Sequence, residues 1–266
     1  MATLNICFAL WIAAFKGTIQ YRANFIIGVV MGLIYQCTGF VFIWVVLSRF
    51  QNVGGWTLGE IAFLYGLRLM MHALNGFFSG ALFTLEWNVR QGDFDRFLVR
   101  PLAPLLQLLS QHPPSSAMGD LIGGIGLFIA ATRLVSITWS ASALIYLILA
   151  IIGGTLIEFA LRILASSLSF RFLAADPAMF LIDDIFSNFG NYPLTIFGNV
   201  LQFLLTFGLP LAFVAYFPAI VLLNRGSELH VHPALAYGAP VVGVLWMIAS
   251  VMVFQHEMRS YKSAGH

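Results

Sequence analysis

Charge is scarce in this chain: 9% of its 266 residues are Asp, Glu, Lys or Arg, and lysine appears at only two positions, Lys16 and Lys262. With 60% hydrophobic residues and 15% aromatics there is too little polar surface to cover a soluble globule of this size, so the composition is that of a membrane protein. The net charge of +2 comes mostly from scattered arginines and forms no basic stripe, which excludes nucleic acid as a partner. Cysteine is nearly absent. Cys7 and Cys37 sit in apolar surroundings without metal-ligand or paired spacing, so no disulfide framework is implied. No Gly-x4-Gly-Lys-Ser/Thr loop occurs, and the chain cannot bind and split ATP by that route. Met1 to Phe15 lack a positive leading segment and a small-residue cleavage site, so this stretch is expected to remain as a helix lying at the membrane surface.

The charge that is present gathers in one place. Arg90, Asp93, Asp95, Arg96 and Arg100 fall within eleven residues, and Gly92 and Pro101 punctuate the same segment. Apolar runs long enough to cross a bilayer lie on both sides of it, which confines these charges to a loop that water or a soluble partner can meet.

A helix needs about 20 residues to cross a hydrocarbon core of roughly 30 Å. Six stretches meet or approach that length: Asn24 to Leu47, Glu60 to Leu85, Ser115 to Val135, Ala141 to Ser166, Tyr192 to Phe213 and Ala234 to Phe254. Turn residues support the gaps, at Asn52-Val53-Gly54-Gly55, His112-Pro113-Pro114 and Asn224-Arg225-Gly226-Ser227. The expected fold is an all-α membrane protein, one transmembrane domain with both termini on the same side. Placing the termini inside leaves Lys16, Arg22, Arg90, Arg96, Arg100, Arg171, Arg259 and Lys262 cytoplasmic against Arg49, Arg133 and Arg225 outside, the arrangement that the positive-inside rule favours. Glycines four apart at Gly28 and Gly32, Gly76 and Gly80, and Gly119 and Gly123 allow close helix approach, either within one subunit or between copies.

Polar residues inside the spans follow helical spacing. Tyr65, Arg68, His72, Asn75, Ser79 and Glu86 share one face of the second span, and that face is expected to turn into the bundle or a wet cavity, since a charge at mid-bilayer costs roughly 2.5 to 3.5 kcal/mol. On the fourth span Glu158 and Arg162 are four apart with the acid first, the favourable order for an intrahelical ion pair. An Arg68 to Glu158 bridge is disfavoured by depth: at 1.5 Å per residue Arg68 lies about 12 Å from the outer end of its span and Glu158 roughly 26 Å. Asn188, Asn191, Thr195, Asn199, Gln202 and Thr206 keep helical spacing in the fifth stretch, which suits either a conduit lining or interhelical hydrogen bonds. Asp176-Pro177 has the pattern of a helix N-cap followed by proline, opening a short interfacial helix over residues 178–189.

Catalytic and metal readings are weak. His230 and His232 lie beside Pro233 with no third ligand in sight, so a plain loop is expected. Ser79 and His72 stand about 10 Å apart along one helix, too far for a nucleophile and its base.

The segment Val89-Arg90-Gln91-Gly92-Asp93-Phe94-Asp95-Arg96-Phe97-Leu98-Val99-Arg100-Pro101-Leu102 resembles the Ile-Arg-x-Gly-x-Leu-Asp-x-x-Leu-x-Arg-Pro-Leu pattern of bacterial ATP-binding cassette type-2 exporter permeases. Arg90, Gly92, Asp95, Leu98, Arg100, Pro101 and Leu102 match; Val89 and Phe94 are conservative departures. Gly55-Trp56 with Glu60, Ser169-Phe170, Tyr192-Pro193, Leu209-Pro210, Phe217-Pro218 and Tyr261-Lys262-Ser263-Ala264-Gly265 extend the similarity along the chain. The resemblance implies a six-span, non-catalytic permease of the bacterial cytoplasmic membrane, forming half of a pore with a second identical or homologous permease. It implies no cofactor on this chain, ATP and Mg on a separate cytoplasmic ATPase, and docking of that ATPase on the loop of Arg90 to Pro101. It further implies that Arg68, His72, Asn75, Ser79, Asn199, Gln202 and Thr206 border the path, and that Phe217 to Asn224 dips back into the membrane. An importer subunit, an intramembrane enzyme and a passive channel are the alternatives.

Overall fold

A computed structural model of the chain describes residues 2–49, 52–111, 113–172 and 175–262. His112 of the expected turn and Ser263, Ala264 and Gly265 of the C-terminal motif lie outside them. Among the described residues the architecture is all-α, apart from one isolated bridge between Val53 and Trp56. Helix α1 (Ala2–Gln20) is separated from α2 (Arg22–Arg49) by a break at Tyr21. Helix α3 (Leu58–Ser79) starts on a capping box, with Glu60 N donating to the Thr57 hydroxyl at 3.4 Å and Thr57 N donating to the Glu60 carboxylate at 2.8 Å. Through a tighter turn at Gly80–Thr84 it continues into α4 (Leu85–Arg90), a 33-residue run.

Two short helices, α5 (Asp95–Leu98) and α6 (Pro104–Leu109), lead to α7 (Ser116–Thr132), α8 (Ala141–Ser167) and α9 (Ala175–Phe189). Ser140 caps α8 by accepting from Ala143 N at 3.1 Å. Among the described residues four helical stretches are long and apolar enough to cross a membrane, five if a later bent pair counts as one; α7, at 17 residues, sits at the lower edge of spanning length.

The fifth expected span departs from the sequence reading. Instead of one helix from Tyr192 to Phe213, a single tight turn at Leu194–Ile196 is followed by α10 (Asn199–Phe203), a wider π turn at Leu204–Gly208, and then a break. Past the break α11 (Tyr216–Leu222) leaves at 77° to α10. Pro210 explains the break: it has no N–H to donate, and Leu209 before it takes the extended conformation that a residue preceding proline prefers (φ −114°, ψ 112°). The sixth stretch also starts later than expected. Pro233–Ala236 forms a separate turn, α12, and the long helix α13 spans Ala239–Met258.

Helix α3 is the axis of the bundle. It is buried on most sides, contacting α7, α8 and α11, while α2 and α13 flank the bundle and present Ile26, Ile27, Met31, Val241, Leu245 and Ile248 outward. Apolar surface of that extent is met by lipid, which makes this a multi-pass membrane protein. The glycine pairs act within the chain: a Cβ at Gly32 would collide with the Ser116 carbonyl, and one at Gly119 with that of Val29, so α2 and α7 touch backbone to backbone. Gly153 and Gly243 do the same for α8 and α13.

Candidate functional site

Two features stand out, a charged loop at one end of α3 and a polar cavity along it. The loop is two-sided. Gly92 turns the chain with a φ of 75°, a left-handed conformation costly for any residue with a Cβ, and brings α5 back under α4. Phe94, fully buried, meets Phe170 at 5.0 Å and Tyr261 at 5.1 Å between ring centres; Phe97 packs beside it. Gln107 pins the far side by donating to the carbonyls of Phe97, at 2.8 Å, and Leu102. The opposite side faces out. Arg96 pairs with Asp93 at 3.1 Å, Arg100 and Pro101 are exposed, Asp95 is half-buried, and Val99 is 83% exposed.

Arg90 ties this loop to the rest of the molecule. It bonds one oxygen of the buried Glu86 carboxylate, whose other oxygen accepts from Asp176 N at 2.9 Å in the first turn of α9. Glu86 therefore caps α9 from a different helix. Asp176 lies inside α9 rather than ahead of it as its N-cap; the backbone donor that an N-cap side chain satisfies is met by Glu86 instead. Burial, and then repulsion from Glu86, raise the Asp176 carboxyl above its ordinary value. The folded protein thus keeps that proton to higher pH than the unfolded chain, so this contribution to stability is complete below the unfolded value and is lost as pH rises through the folded one. Asp176→Asn is expected to melt later than the parent at pH 7 and together with it near pH 3; parallel melting curves across that range would refute the assignment.

The cavity, about 750 Å³, lies between α2, α3 and α9. Of the residues expected to border a path it contains Arg68 and His72. Asn75 and Ser79, on the same stripe, are buried behind it and serve other groups. Glu158 does not pair with Arg162: its carboxylate takes His72 Nδ1 at 3.1 Å and Asn75 Nδ2 at 3.3 Å. Arg162 instead donates to Ser79 Oγ and to Asp183 of α9, both at 2.8 Å. The i, i+4 spacing permits a pair, but α3 and α9 offer each group a partner across the bundle, which orders less flexible geometry than two long side chains on one helix. The depth argument holds: Glu158 meets α3 one and two turns beyond Arg68. Ser79, held by Arg162, and His72, held by Glu158, do not contact each other.

Asn199, Gln202 and Thr206 stand apart from that cavity. Asn199 lines a separate shallow pocket, Gln202 Nε2 donates to Phe197 O at 2.7 Å and the Thr206 hydroxyl donates to Gln202 O at 2.7 Å. The continuous polar stripe from Asn188 to Thr206 fails because Pro193 and Gly198 interrupt the helix it presumes.

At the opposite end of α3 sequence reading missed a cluster. Arg225 donates to Glu60 Oε1 at 2.7 Å, Glu228 Oε1 at 2.8 Å and Gly55 O at 2.9 Å, and lies over the Trp56 ring at 4.9 Å. Burial opposes its charge, but the Glu228 and Glu60 carboxylates hold it above its ordinary value. His232 caps α12 by accepting from Ala234 N at 3.3 Å, and His230 stacks on Tyr216.

A bundle of apolar helices beside a half-open cavity that Arg68 and His72 line, with an exposed charged loop braced from within, fits a membrane transport component. Residues 33–265 match the family described as ABC-2 family transporter protein, and the chain belongs to that family. No curated protein and no solved structure matches it. Membership makes this the membrane permease component of an ATP-binding cassette transporter assembly, in a family of transport membrane subunits.

Proposed function

We propose that this chain forms half of the translocation pore of an exporter in a bacterial cytoplasmic membrane, driven through the loop of Arg90, Gly92, Asp93, Asp95, Arg96, Arg100 and Pro101. In this reading α2, α3–α4, α7, α8, α10–α11 and α13 make six crossings, with both termini and the loop cytoplasmic and α1 at the interface. The bend at Pro210 lets α11 dip back from the outer side. A separate ATPase carries ATP and Mg beneath the loop, and a second permease, identical or homologous, completes the pore. Export follows the resemblance of residues 89–102.

The observation that carries this reading is the loop's two-sidedness. Phe94 and Phe97 fix it to the core cluster that includes Phe159 of α8 and Phe254 of α13, while Arg96, Val99 and Arg100 face outward, where a partner can meet them. A handle of that kind transmits force instead of absorbing it. Displacement of α5 would pass through Arg90 and Glu86 to the start of α9, and α9 borders the polar cavity at Asp183 and Asn188.

Val99→Cys in a Cys7→Ala, Cys37→Ala background, labelled with benzophenone-maleimide, tests the docking. Illumination of membranes is expected to join it to a polypeptide that mass spectrometry identifies as an ATP-binding cassette ATPase. Labelling of the introduced thiol from the external side, or a cross-link only to lipid, would overturn the proposal.

A further inference from the structure

Arg68 is 4% exposed and its Nε has no hydrogen-bond partner among the described residues. Its guanidinium lies 6.0 Å from the centre of the Tyr65 ring, and no carboxylate among the described residues forms a salt bridge with it. Arginine does not shed its proton in proteins, so the charge stays. A fixed, desolvated cation without a contacting anion, compensated only by the longer-range field of Glu158 and Asp120, favours a negatively charged group placed directly against it.

The acids nearby are already engaged. Asp183 holds Arg162 at 2.8 Å, Glu158 holds His72 at 3.1 Å, and Asp120 accepts from Gln36 at 2.8 Å. What remains for Arg68 is the cavity it lines, at about 750 Å³ within the size range of small-molecule sites. Asn188 and Tyr192 add neutral hydrogen-bonding groups to the wall, and Met31 and Ile34 of α2 add an apolar edge on the same side.

We propose that this cavity binds the anionic group of the transported molecule, a phosphate or carboxylate, on the guanidinium of Arg68, with an apolar portion lying along α2. The planar fork of arginine fits either anion through two parallel hydrogen bonds. A cation would meet the field of Arg68 and find each carboxylate taken. The inference rests on reading the cavity as part of the translocation path.

The test uses the purified transporter complex in dodecyl maltoside, which carries no phosphate, without nucleotide. Octyl phosphate, octyltrimethylammonium and inorganic phosphate are titrated separately and binding is read by thermophoresis. Octyl phosphate is expected to bind saturably, at least tenfold more tightly than the ammonium probe. Arg68→Gln should weaken it tenfold or more, and Arg68→Lys less. Asn188→Asp, an exposed position that tolerates the change, should weaken it as well by placing a carboxylate in the cavity. Competition by inorganic phosphate would identify a free anion as the source, and lack of competition an amphiphile such as a lipid; both support the anionic class. Equal or tighter binding of octyltrimethylammonium, or unaltered octyl phosphate affinity in both the Arg68→Gln and Asn188→Asp proteins, would overturn it. Because nucleotide is omitted, a failure here beside an intact Val99→Cys cross-link removes only the substrate class. Anion binding without that cross-link removes only the coupling.

Discussion

Replacing Asp95 with arginine, Arg96 with alanine and Arg100 with aspartate in one protein is expected to reduce transport at least tenfold while the associated ATPase continues to hydrolyse ATP. Each factor of ten corresponds to about 1.4 kcal/mol of lost coupling. The combination lowers the loop's net charge by one, so general attraction to a partner changes little while the pattern of signs is scrambled. Phe94, Phe97 and Gln107, which fix the loop from beneath, are untouched. Arg96 and Arg100 are exposed, and surface substitutions usually alter stability by about 0.5 kcal/mol or less. Transport and hydrolysis measured together in vesicles decide the matter: unchanged transport means that these charges do not engage the motor, and hydrolysis lost with transport means that the variant blocks assembly rather than coupling.

Arg162→Met, which removes the buried partner of the cavity-lining Asp183, should be strongly destabilising. Removing one partner of a buried pair leaves the other charge uncompensated at a cost of about 3 to 5 kcal/mol. Asp183 retains some contact with solvent, which places the expected loss at the lower end, about 3 kcal/mol. Ser79 loses its donor as well, and α9 loses its only ion pair to α8 among the described residues. Adding Asp183→Asn should recover part of the loss, since the orphaned carboxylate is then gone. Thermal melting of the two single variants and the double variant gives the coupling directly. If Arg162→Met melts with the parent, the pair holds nothing together.

Much of the loop and of the α3 stripe was legible because both depend on local rules. Five charges in eleven residues of so apolar a chain can only be at a water-facing segment, and Arg68, His72, Asn75 and Ser79 share a face whenever the chain between them is helical. The relative depth of Arg68 and Glu158 was likewise a matter of rise per residue. Partners were not legible. Glu158 and Arg162 invited pairing by spacing, yet Asp183 lies on a helix whose approach is fixed by Glu86, a contact ninety residues away in sequence. The fifth expected span breaks for a different reason: Pro193, Gly198 and Pro210 outweigh its apolar run, and Leu209-Pro210 alone carries the signal for a break. Arg225 escaped notice because a turn-rich loop gives no sign that it folds back onto the cap of α3.

The shortness of α7 has a consequence for the lipid around it. Seventeen residues rise about 26 Å, several ångströms less than a hydrocarbon layer of roughly 30 Å. If α7 crosses, the mismatch is met by a local dimple in the bilayer, with the exposed Arg133 at its end reaching toward the headgroups. Since α7 packs its glycines against both α2 and α3, that depression would lie on the flank of the two helices that wall the polar cavity.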